Sequence, residues 1–426
     1  MLARVFAVGL AALACAGACP AQWLRHWADQ DTMTGDWGGL RTRWKDAGVS
    51  IFATYGINLA GNPSGGREQD VTYVDDQSWG ADFDLARLAK LDGSKVRLSF
   101  NNRDGQNLSA DAIGAIFAVQ QLYGGGEIPR LMELAISQDF LGGKLNVRAG
   151  RVMGAADFAT SPLYCEFMNQ SLCGNLGNLG QNIVFSFYPV ASWGGRVQWK
   201  PDERFMVQAG VFEANPTLTS KNGFDWSTAG AIGTITIGEV WFIRGGTAGE
   251  KPGHYKLGAY YSSADAPDLY FDDEGGSYVL SGLPPRNHGG KSGVYFLADQ
   301  ALTREPEAGN QGLTVLGGLS FAGETTNVMP FLAFLGLQYT GLFEGRPDDV
   351  LGLSATQGRI SENLANTERL QGQPPQEAET LFELNYSIHL TNWFVFEPNL
   401  QYIVTPGATG EISNAFVLGL QTALTF

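Results

Sequence analysis

The stretch VSIFATYGINL, residues 49–59, alternates apolar and polar side chains. The odd positions carry valine, isoleucine, alanine, tyrosine, isoleucine and leucine, whereas the even positions include serine, threonine, glycine and asparagine. Successive side chains of a β-strand point to opposite faces of a sheet. A period of two therefore predicts a strand with one apolar face and one polar face.

The same alternation recurs along the chain, from 79–85 and 96–100 through 193–199 and 255–261 to 416–426. The apolar faces are rich in Trp, Tyr, Phe and Leu, and the polar faces carry Arg, Lys, Asp and Glu. Such apolar faces are too bulky and too numerous for one protein interior, but they suit a lipid-facing band around a polar lumen. We therefore expect a transmembrane β-barrel, with a soluble β-sandwich as the alternative.

The length of the chain sets the size of this barrel. Removal of residues 1–21 leaves about 405 residues, and ~25 residues for each strand with its connection give roughly 16 strands. The predicted fold class is all-β: an antiparallel transmembrane β-barrel of about 16 strands, with a short N-terminal helix and an aqueous lumen. We expect tight turns at 91–93 and 141–143, and long extracellular loops at 154–181, 218–238 and 264–291.

The N-terminal end has the features of a secretory signal peptide. Arg4 precedes the apolar run 5–14, which is too short to span a membrane, and small residues follow at 16–18. Cleavage after position 18 or after position 21 fits this pattern, and Cys19 leaves a lipoprotein interpretation open. The predicted organisation is a signal peptide over 1–21, an N-terminal periplasmic helical segment over 22–48 and a β-barrel porin domain over 49–426.

Charge and cysteine content narrow the choice of partners. The chain carries a formal net charge of −15 without clusters of Lys and Arg, which argues against nucleic-acid binding. Cys165 and Cys173 remain after removal of the signal peptide. An exported protein meets an oxidising compartment, which favours a disulfide between them, with two free buried thiols as the alternative.

The residues ahead of the first strand, DWGGLRTRWKDAG, predict a short helix over 37–47. Asp36 would cap its first turn, and Gly48 would end it in a left-handed conformation. Leu40 and Trp44 fall on one side of this helix. Two roles are open for it: a plug or brace at the periplasmic mouth, or a solvated leader without a function.

The sequence shows no pattern typical of an enzyme. The four histidines are scattered without ligand spacing, and G-x-S-x-G and P-loop motifs are absent. The paired acids at 75–76, 272–273 and 348–349 fit solvated loop carboxylates or weak cation sites better than a glycosidase pair. We expect no catalysis, no cofactor and no built metal site.

Charged residues on the polar faces of the early strands are the candidate pore lining. The first-rank residues, which should point inward by strand parity, are Arg97, Glu133, Lys95, Arg148, Asp82 and Asp84. The second-rank residues near strand ends, where parity is less dependable, are Arg87, Arg103 and Arg151. Guanidinium and carboxylate groups each form two hydrogen bonds side by side. This arrangement suits the pairs of neighbouring hydroxyls that a sugar carries. These charges could instead only pair with each other and stabilise the wall. The loop holding Cys165 and Cys173 could enter the barrel and narrow it, or remain outside the pore.

Several stretches, in order, resemble the carbohydrate-selective outer-membrane porin (OprB) family. They are TGDWGGLRTRWKDAGVSI from 34, LNVRAGRV from 145, GRVQWKPDERFMVQAGVFEANP from 195, GLQYTGLFEGRPDDVLGL from 336 and EPNLQYIVTPG from 397. The resemblance implies a 16-stranded barrel in the bacterial outer membrane that admits monosaccharides, with glucose-like sugars foremost and no energy coupling. A general porin of weak selectivity and a secreted glycan-binding β-protein are the alternatives.

The expected partners follow from this family and from the chain's last residue. Phe426 lies in an alternating strand, as at the end of many outer-membrane barrels, and we expect the barrel-assembly machinery to recognise it. Outer-membrane lipid and lipopolysaccharide would surround the barrel. Two oligomeric states are open for the barrel, a monomer and a homotrimer.

Overall fold

A computed structural model of the chain describes residues 26–245, 250–305 and 309–426. Its strands are β1 Val49–Gly66, β2 Val71–Asp84, β3 Ser94–Gly105, β4 Arg130–Phe140, β5 Leu145–Val152, β6 Ser192–Trp199, β7 Phe205–Ala214, β8 Gly233–Arg244, β9 Gly253–Ser262, β10 Pro267–Asp272, β11 Pro285–Asn287, β12 Lys291–Ala301, β13 Gly312–Ala322, β14 Phe331–Thr340, β15 Val350–Arg359, β16 Ala378–Thr391, β17 Phe394–Val404 and β18 Ser413–Thr425. Its α-helices are α1 Leu40–Asp46, α2 Leu85–Ala89, α3 Gly177–Asn182, α4 Tyr278–Ser281 and α5 Glu362–Leu370. Short 3₁₀ or π-helical turns lie at Ser109–Ile113, Leu141–Gly143, Gly154–Ala156, Tyr164–Glu166, Pro216–Ser220 and Pro406–Ala408.

Sixteen of these strands close into one antiparallel barrel, and β10 and β11 form a separate hairpin. Each barrel strand pairs with its neighbours in chain order, apart from the step from β9 to β12, and β1 closes the barrel against β18. None of the helices that the structure describes is long and apolar enough to cross a membrane.

The alternation of the sequence sets the two faces of the barrel wall. Leu59 lies opposite Leu420 across the seam between β1 and β18, and Trp79 lies opposite Phe100 between β2 and β3. Leu59 and Trp79 are 44% and 40% exposed, so the apolar face points outward. Asn58, one position from Leu59, is buried on the inner face. The predicted barrel with an outward apolar face is confirmed, and the β-sandwich alternative is wrong.

The longest connections, at 106–129, 153–191, 215–232, 263–290 and 360–377, all lie at one end of the barrel, the long-loop end, and the opposite end is the short-turn end. The 141–143 turn is tight, as predicted, but 91–93 ends a longer connection that contains α2. The predicted loop 218–238 is too long, because β8 already begins at Gly233. The segment between β9 and β12 is a long loop as expected, and it holds the hairpin of β10 and β11.

The N-terminal helix α1 is shorter than predicted. Left-handed backbone at Trp37 (φ 52°) and Gly39 (φ 88°) prevents an α-helix from beginning before Leu40. Asp36 still satisfies a backbone donor of the first turn, because its carboxylate accepts the N–H of Thr42 at 2.8 Å. Gly48 has φ 100°, in agreement with the predicted left-handed end.

The loop between β5 and β6 enters the barrel instead of standing outside it. Its side chains Phe158, Phe167 and Leu179 are fully buried in one apolar cluster with the wall residues Tyr295 and Leu316. Of the two positions expected for the loop that holds Cys165 and Cys173, entry into the barrel is therefore the observed one, because apolar side chains of this segment are buried against the inner wall. The sulfurs of Cys165 and Cys173, within the same loop, lie 2.05 Å apart as a disulfide.

Candidate pore constriction

Buried carboxylates of the barrel wall hold the backbone of the loops that enter the lumen. Glu383 on β16 accepts the backbone N–H groups of Met168 (2.6 Å) and Asn169 (3.3 Å). Glu239 on β8 likewise accepts the N–H of Ala159 at 2.7 Å. A buried backbone N–H without a partner is costly, so each carboxylate fixes the loop at one point.

The loop between β3 and β4 is anchored in the same way. Glu379 at the start of β16 accepts the backbone N–H groups of Ile116 (2.9 Å) and Phe117 (3.2 Å). The side chains of Val119 and Leu108, from the same loop, pack in a second apolar cluster with Ile403 of β17. The apolar clusters of these two loops pack mainly against β7–β9 and β12–β18, and open space remains next to β1–β6 toward the end where β2 and β4 end.

That open space includes a cavity of about 740 Å³ whose wall is strongly charged. Its lining includes five of the six first-rank residues, Asp82, Asp84, Lys95, Arg97 and Arg148. The sixth, Glu133, is buried in the wall, where it contacts Arg97 and Arg148. Strand parity thus brings these residues together on one inner surface of β2–β5.

Arg97 is the centre of this surface. It lies opposite Asp82 in the register of β2 and β3, with Nε–Oδ1 3.7 Å, and its Nε lies 3.8 Å from Oε2 of Glu133 on β4. The guanidinium also lies over the ring of Phe52, 4.7 Å from its centroid. The Arg97 side chain is 45% exposed, whereas that of Glu133 is only 3% exposed. Arg97 is therefore paired with the wall and open to a solute in the lumen.

The charged row continues from Glu133 to the inserted loop. Arg148 on β5 donates to Glu133 and, through Nη1, to Oδ2 of Asp157 at 3.0 Å. Asp157 belongs to the inserted loop, and its Oδ1 lies 2.9 Å from Nε of Arg196 on β6. Positive and negative groups alternate along this row, which extends from Asp82 to Arg196. The row holds the loop against the early strands through Asp157.

The remaining first-rank residues, Asp84 and Lys95, differ in whether another group of the protein holds their side chain. Asp84 caps α2 by accepting the N–H of Ala86 at 3.0 Å, so its carboxylate has a structural partner. Lys95 lies opposite Asp84 in the register and is exposed in the cavity. Arg87 also lines the cavity and donates from Nη1 to the carbonyl oxygens of Lys45 and Asp46, 3.0 Å each, at the end of α1. A cation suits the carbonyl end of a helix.

Two second-rank residues lie away from this cavity. Arg103 is 5% exposed on the inner face of β3, and its Nε lies 2.6 Å from Oδ2 of Asp76. Arg151 lies opposite Leu134 and Trp193 in the register of β5, three positions from Arg148 and hence on the outer face. It is buried there, with its guanidinium 5.7 Å from the ring centroid of Trp193. Arg151 therefore does not share the inner face with Arg148.

Two residues of the row, Arg196 and Asp157, and Phe52 beside it were not among the candidates from the sequence. Arg196 and Phe52 lie at inward positions of β6 and β1, and strand parity alone identifies both of them. Asp157 lies in the loop, where no periodicity applies. Within the described residues, no group of three or more His, Cys, Asp or Glu side chains is placed to hold a metal ion.

Comparisons with known proteins agree with this architecture. The family model described as carbohydrate-selective porin, OprB family, matches residues 68–426. Porin B of Pseudomonas aeruginosa is 34% identical over 417 residues, which cover 92% of this chain and 91% of that protein. The putative porin QuiX of Acinetobacter baylyi is 28% identical over 451 residues, 99% of either chain.

A solved structure shows the same fold at high similarity. The high-pH structure of Pseudomonas putida OprB superimposes with a TM-score of 0.89 at 33% identity, over 94% of this chain and 99% of that one. The chain therefore belongs to the OprB family of carbohydrate-selective porins, which are outer-membrane channels and not enzymes.

Proposed function

We propose that this porin lets monosaccharides, glucose-like sugars foremost, diffuse passively into the periplasm past the charged row from Asp82 to Arg196. The observation that carries the proposal is the position of Arg97, which is paired with two carboxylates and 45% exposed to the lumen. A fixed row of donors and acceptors suits a solute with several vicinal hydroxyls, because each hydroxyl both donates and accepts.

The chemistry of the row also fits conduction. The Arg97 guanidinium already has partners, so a sugar hydroxyl replaces water near it without uncovering an unpaired charge. The ring of Phe52 beneath Arg97 adds an apolar surface beside the polar groups. Contacts of this kind are weak and exchangeable, and conduction requires that the solute leave as readily as it enters.

The size of the passage supports small solutes over large ones. The apolar clusters of the inserted loops fill the side of the lumen formed by the later strands. The wall carboxylates Glu239, Glu379 and Glu383 hold these loops in place. A solute thus passes between a fixed loop and a fixed wall, which favours a single sugar ring over an oligosaccharide.

Liposome swelling with the purified protein tests this function. We expect fast swelling with glucose and other monosaccharides, slower swelling with disaccharides, and slow swelling with amino acids and small anions of similar size. Equal rates for sugars, amino acids and anions would contradict the proposal and favour a general porin. Liposomes without protein and liposomes with heat-unfolded protein are the controls.

A further inference from the structure

A second cavity, of about 590 Å³, lies at the long-loop end of the barrel. It is bounded by residues 121–125 of one inserted loop, by residues 173–188 of the other and by Arg103 of β3. Arg103 and Arg97 share the inner face of β3, six positions and ~20 Å apart along the strand. A solute that enters from the long-loop end therefore meets this cavity, which we call the vestibule, before it reaches Arg97.

Tyr188 is an exposed aromatic side chain in the vestibule. Its side chain is 39% exposed, although its hydroxyl is held by the barrel wall. That hydroxyl donates to Oδ1 of Asp76 at 2.8 Å, lies 2.5 Å from Oγ of Ser78 and accepts from Nδ2 of Asn101 at 3.1 Å. The polar end of the side chain is satisfied, and part of its apolar ring faces the cavity.

Arg103 fixes the ring from one side. Its guanidinium lies 4.7 Å from the ring centroid of Tyr188, and the same guanidinium pairs with Asp76. Arg103 also donates to the carbonyl oxygen of Gly124 at 3.3 Å. A ring held by its hydroxyl and by one face loses little further freedom when a ligand contacts it, so it is preorganised for binding.

Polar side chains line the same cavity as this ring. Gln170 is exposed in the vestibule, and Gln121 is partly exposed there. Asn175 uses its amide N–H groups on the carbonyl oxygens of Ala155 and Phe158, 2.8 Å each, which leaves its carbonyl oxygen to accept. A pocket with a flat apolar surface and a few convergent amides suits a ligand with an apolar ring face and polar edges.

We propose that the vestibule is an entry site for a pyranose, which stacks its C–H face on Tyr188 and directs its hydroxyls to Gln121, Gln170 and Asn175. This inference rests on the proposed function, because it assigns a further binding site to the same sugar pathway. The site raises the local sugar concentration above the charged row. Tyr188 contacts the ligand by its ring, and its hydroxyl acts only in positioning that ring.

The test compares two substitutions of Tyr188 in the full-length porin reconstituted in a planar bilayer. Tyr188→Leu removes the flat ring and keeps apolar volume, whereas Tyr188→Phe keeps the ring and removes the hydroxyl. We measure the ion current through the open channel during a glucose titration. The quantity compared between variants is the glucose concentration at which the change in current is half of its maximum. Tyr188→Leu should raise it roughly three- to tenfold, the range typical of a lost aromatic contact, and Tyr188→Phe should raise it less than twofold. Tyr270→Leu, an aromatic residue of the outer hairpin outside the vestibule, is the matched control.

A wild-type measurement covers the case in which Tyr188→Leu does not fold. Hydroxyl-radical labelling followed by mass spectrometry should show glucose-dependent protection of Tyr188 relative to Tyr270. Equal glucose response in Tyr188→Leu and wild type, or labelling of Tyr188 that glucose does not change, would overturn the vestibule site. Equal loss in the Leu and Phe variants would also overturn it, because that result assigns the effect to the hydroxyl network.

The failure of this inference is distinct from the failure of the proposed function. If Arg97→Ala weakens the glucose response and Tyr188→Leu does not, the vestibule site is wrong and the sugar pathway stands. If wild-type channels respond to no sugar and wild-type liposomes do not swell in glucose, the proposed function is wrong and the vestibule site falls with it.

Discussion

The guanidinium of Arg41 in α1 donates a hydrogen bond from Nη2 to the main-chain oxygen of Phe426, 2.6 Å away. The same nitrogen donates to the carbonyl oxygen of Ile51 in β1 at 3.2 Å, and the backbone N–H of Phe426 donates to Ala53 at 2.9 Å. Arg41 thus joins the two strands that close the barrel. The short helix before β1 braces the seam at the short-turn end, which favours the brace over a solvated leader.

The first prediction concerns this brace. Arg41→Ala should lower the temperature at which the barrel loses its heat-resistant migration on a gel by several degrees. A hydrogen bond from a charged donor contributes about 1.5–3 kcal/mol, and this one closes the seam of the sheet. Arg43→Ala is the matched control, because Arg43 lies in the same helix and donates to the carbonyl oxygen of Gly39, within that helix's first turn and away from the seam. Equal effects of the two substitutions would contradict the role of Arg41.

The second prediction concerns Arg97. Arg97→Ala should leave folding normal, because Arg148 still pairs with Glu133 and water in the lumen screens Asp82, which is 42% exposed. The loss of one cation should raise single-channel conductance and cation preference, and the glucose response of the current should weaken. If Arg97 only stabilises the wall, the variant should instead lose heat-resistant migration and keep the glucose response. Arg369→Ala in α5, an exposed arginine outside both cavities, serves as control.

The third prediction concerns the anchor of the inserted loop. Glu383→Ala removes the acceptor of the buried N–H groups of Met168 and Asn169, and each unpaired group costs ~1–3 kcal/mol. We expect larger current noise and higher conductance in single-channel recordings, because the loop loses a fixed point. Glu383→Gln keeps one carbonyl oxygen and should lie between Ala and wild type. A quiet channel of wild-type conductance in Glu383→Ala would disprove the anchoring role.

The fourth prediction concerns pH and the outer hairpin of β10 and β11, outside the membrane-spanning strands. Burial raises the pKa of Asp268, but hydrogen bonds from the Phe271 N–H, His288 and the Tyr270 N–H outweigh it and lower that pKa below its ordinary value. A lowered pKa in the folded state stabilises the hairpin above the ordinary value of about 4. This stability is lost as the pH falls from there through the lowered pKa.

Asp268→Asn should reproduce the low-pH state at neutral pH. We expect faster tryptic cleavage after Arg286 in this variant than in wild type, while the barrel keeps its heat-resistant migration. Asp265→Asn, at an exposed position of the same loop, should leave the cleavage rate unchanged. Resistance of Asp268→Asn equal to that of wild type would show that this carboxylate does not hold the hairpin.

The order of apolar and polar residues along the chain was sufficient to predict the barrel wall. Alternation in stretches such as 49–59 depends on neighbouring residues only, because each side chain in a strand faces opposite to the next one. It therefore predicted the strands and their apolar outer face, whereas the number of strands was predicted from the length of the chain. The same parity placed Asp82, Arg97, Glu133 and Arg148 on the inner face, where they meet.

The filling of the barrel depends instead on contacts between distant parts of the chain, which local patterns do not reveal. The anchor between Met168 and Glu383 joins residues 215 positions apart, and no local pattern predicts such a pairing. For the same reason Asp157 joins the charged row from a loop without periodicity, and Tyr188 reaches the wall at Asp76 from the same loop. Strand periodicity is a local property of the backbone, whereas the fold of a loop inside the lumen depends on contacts with the whole closed wall.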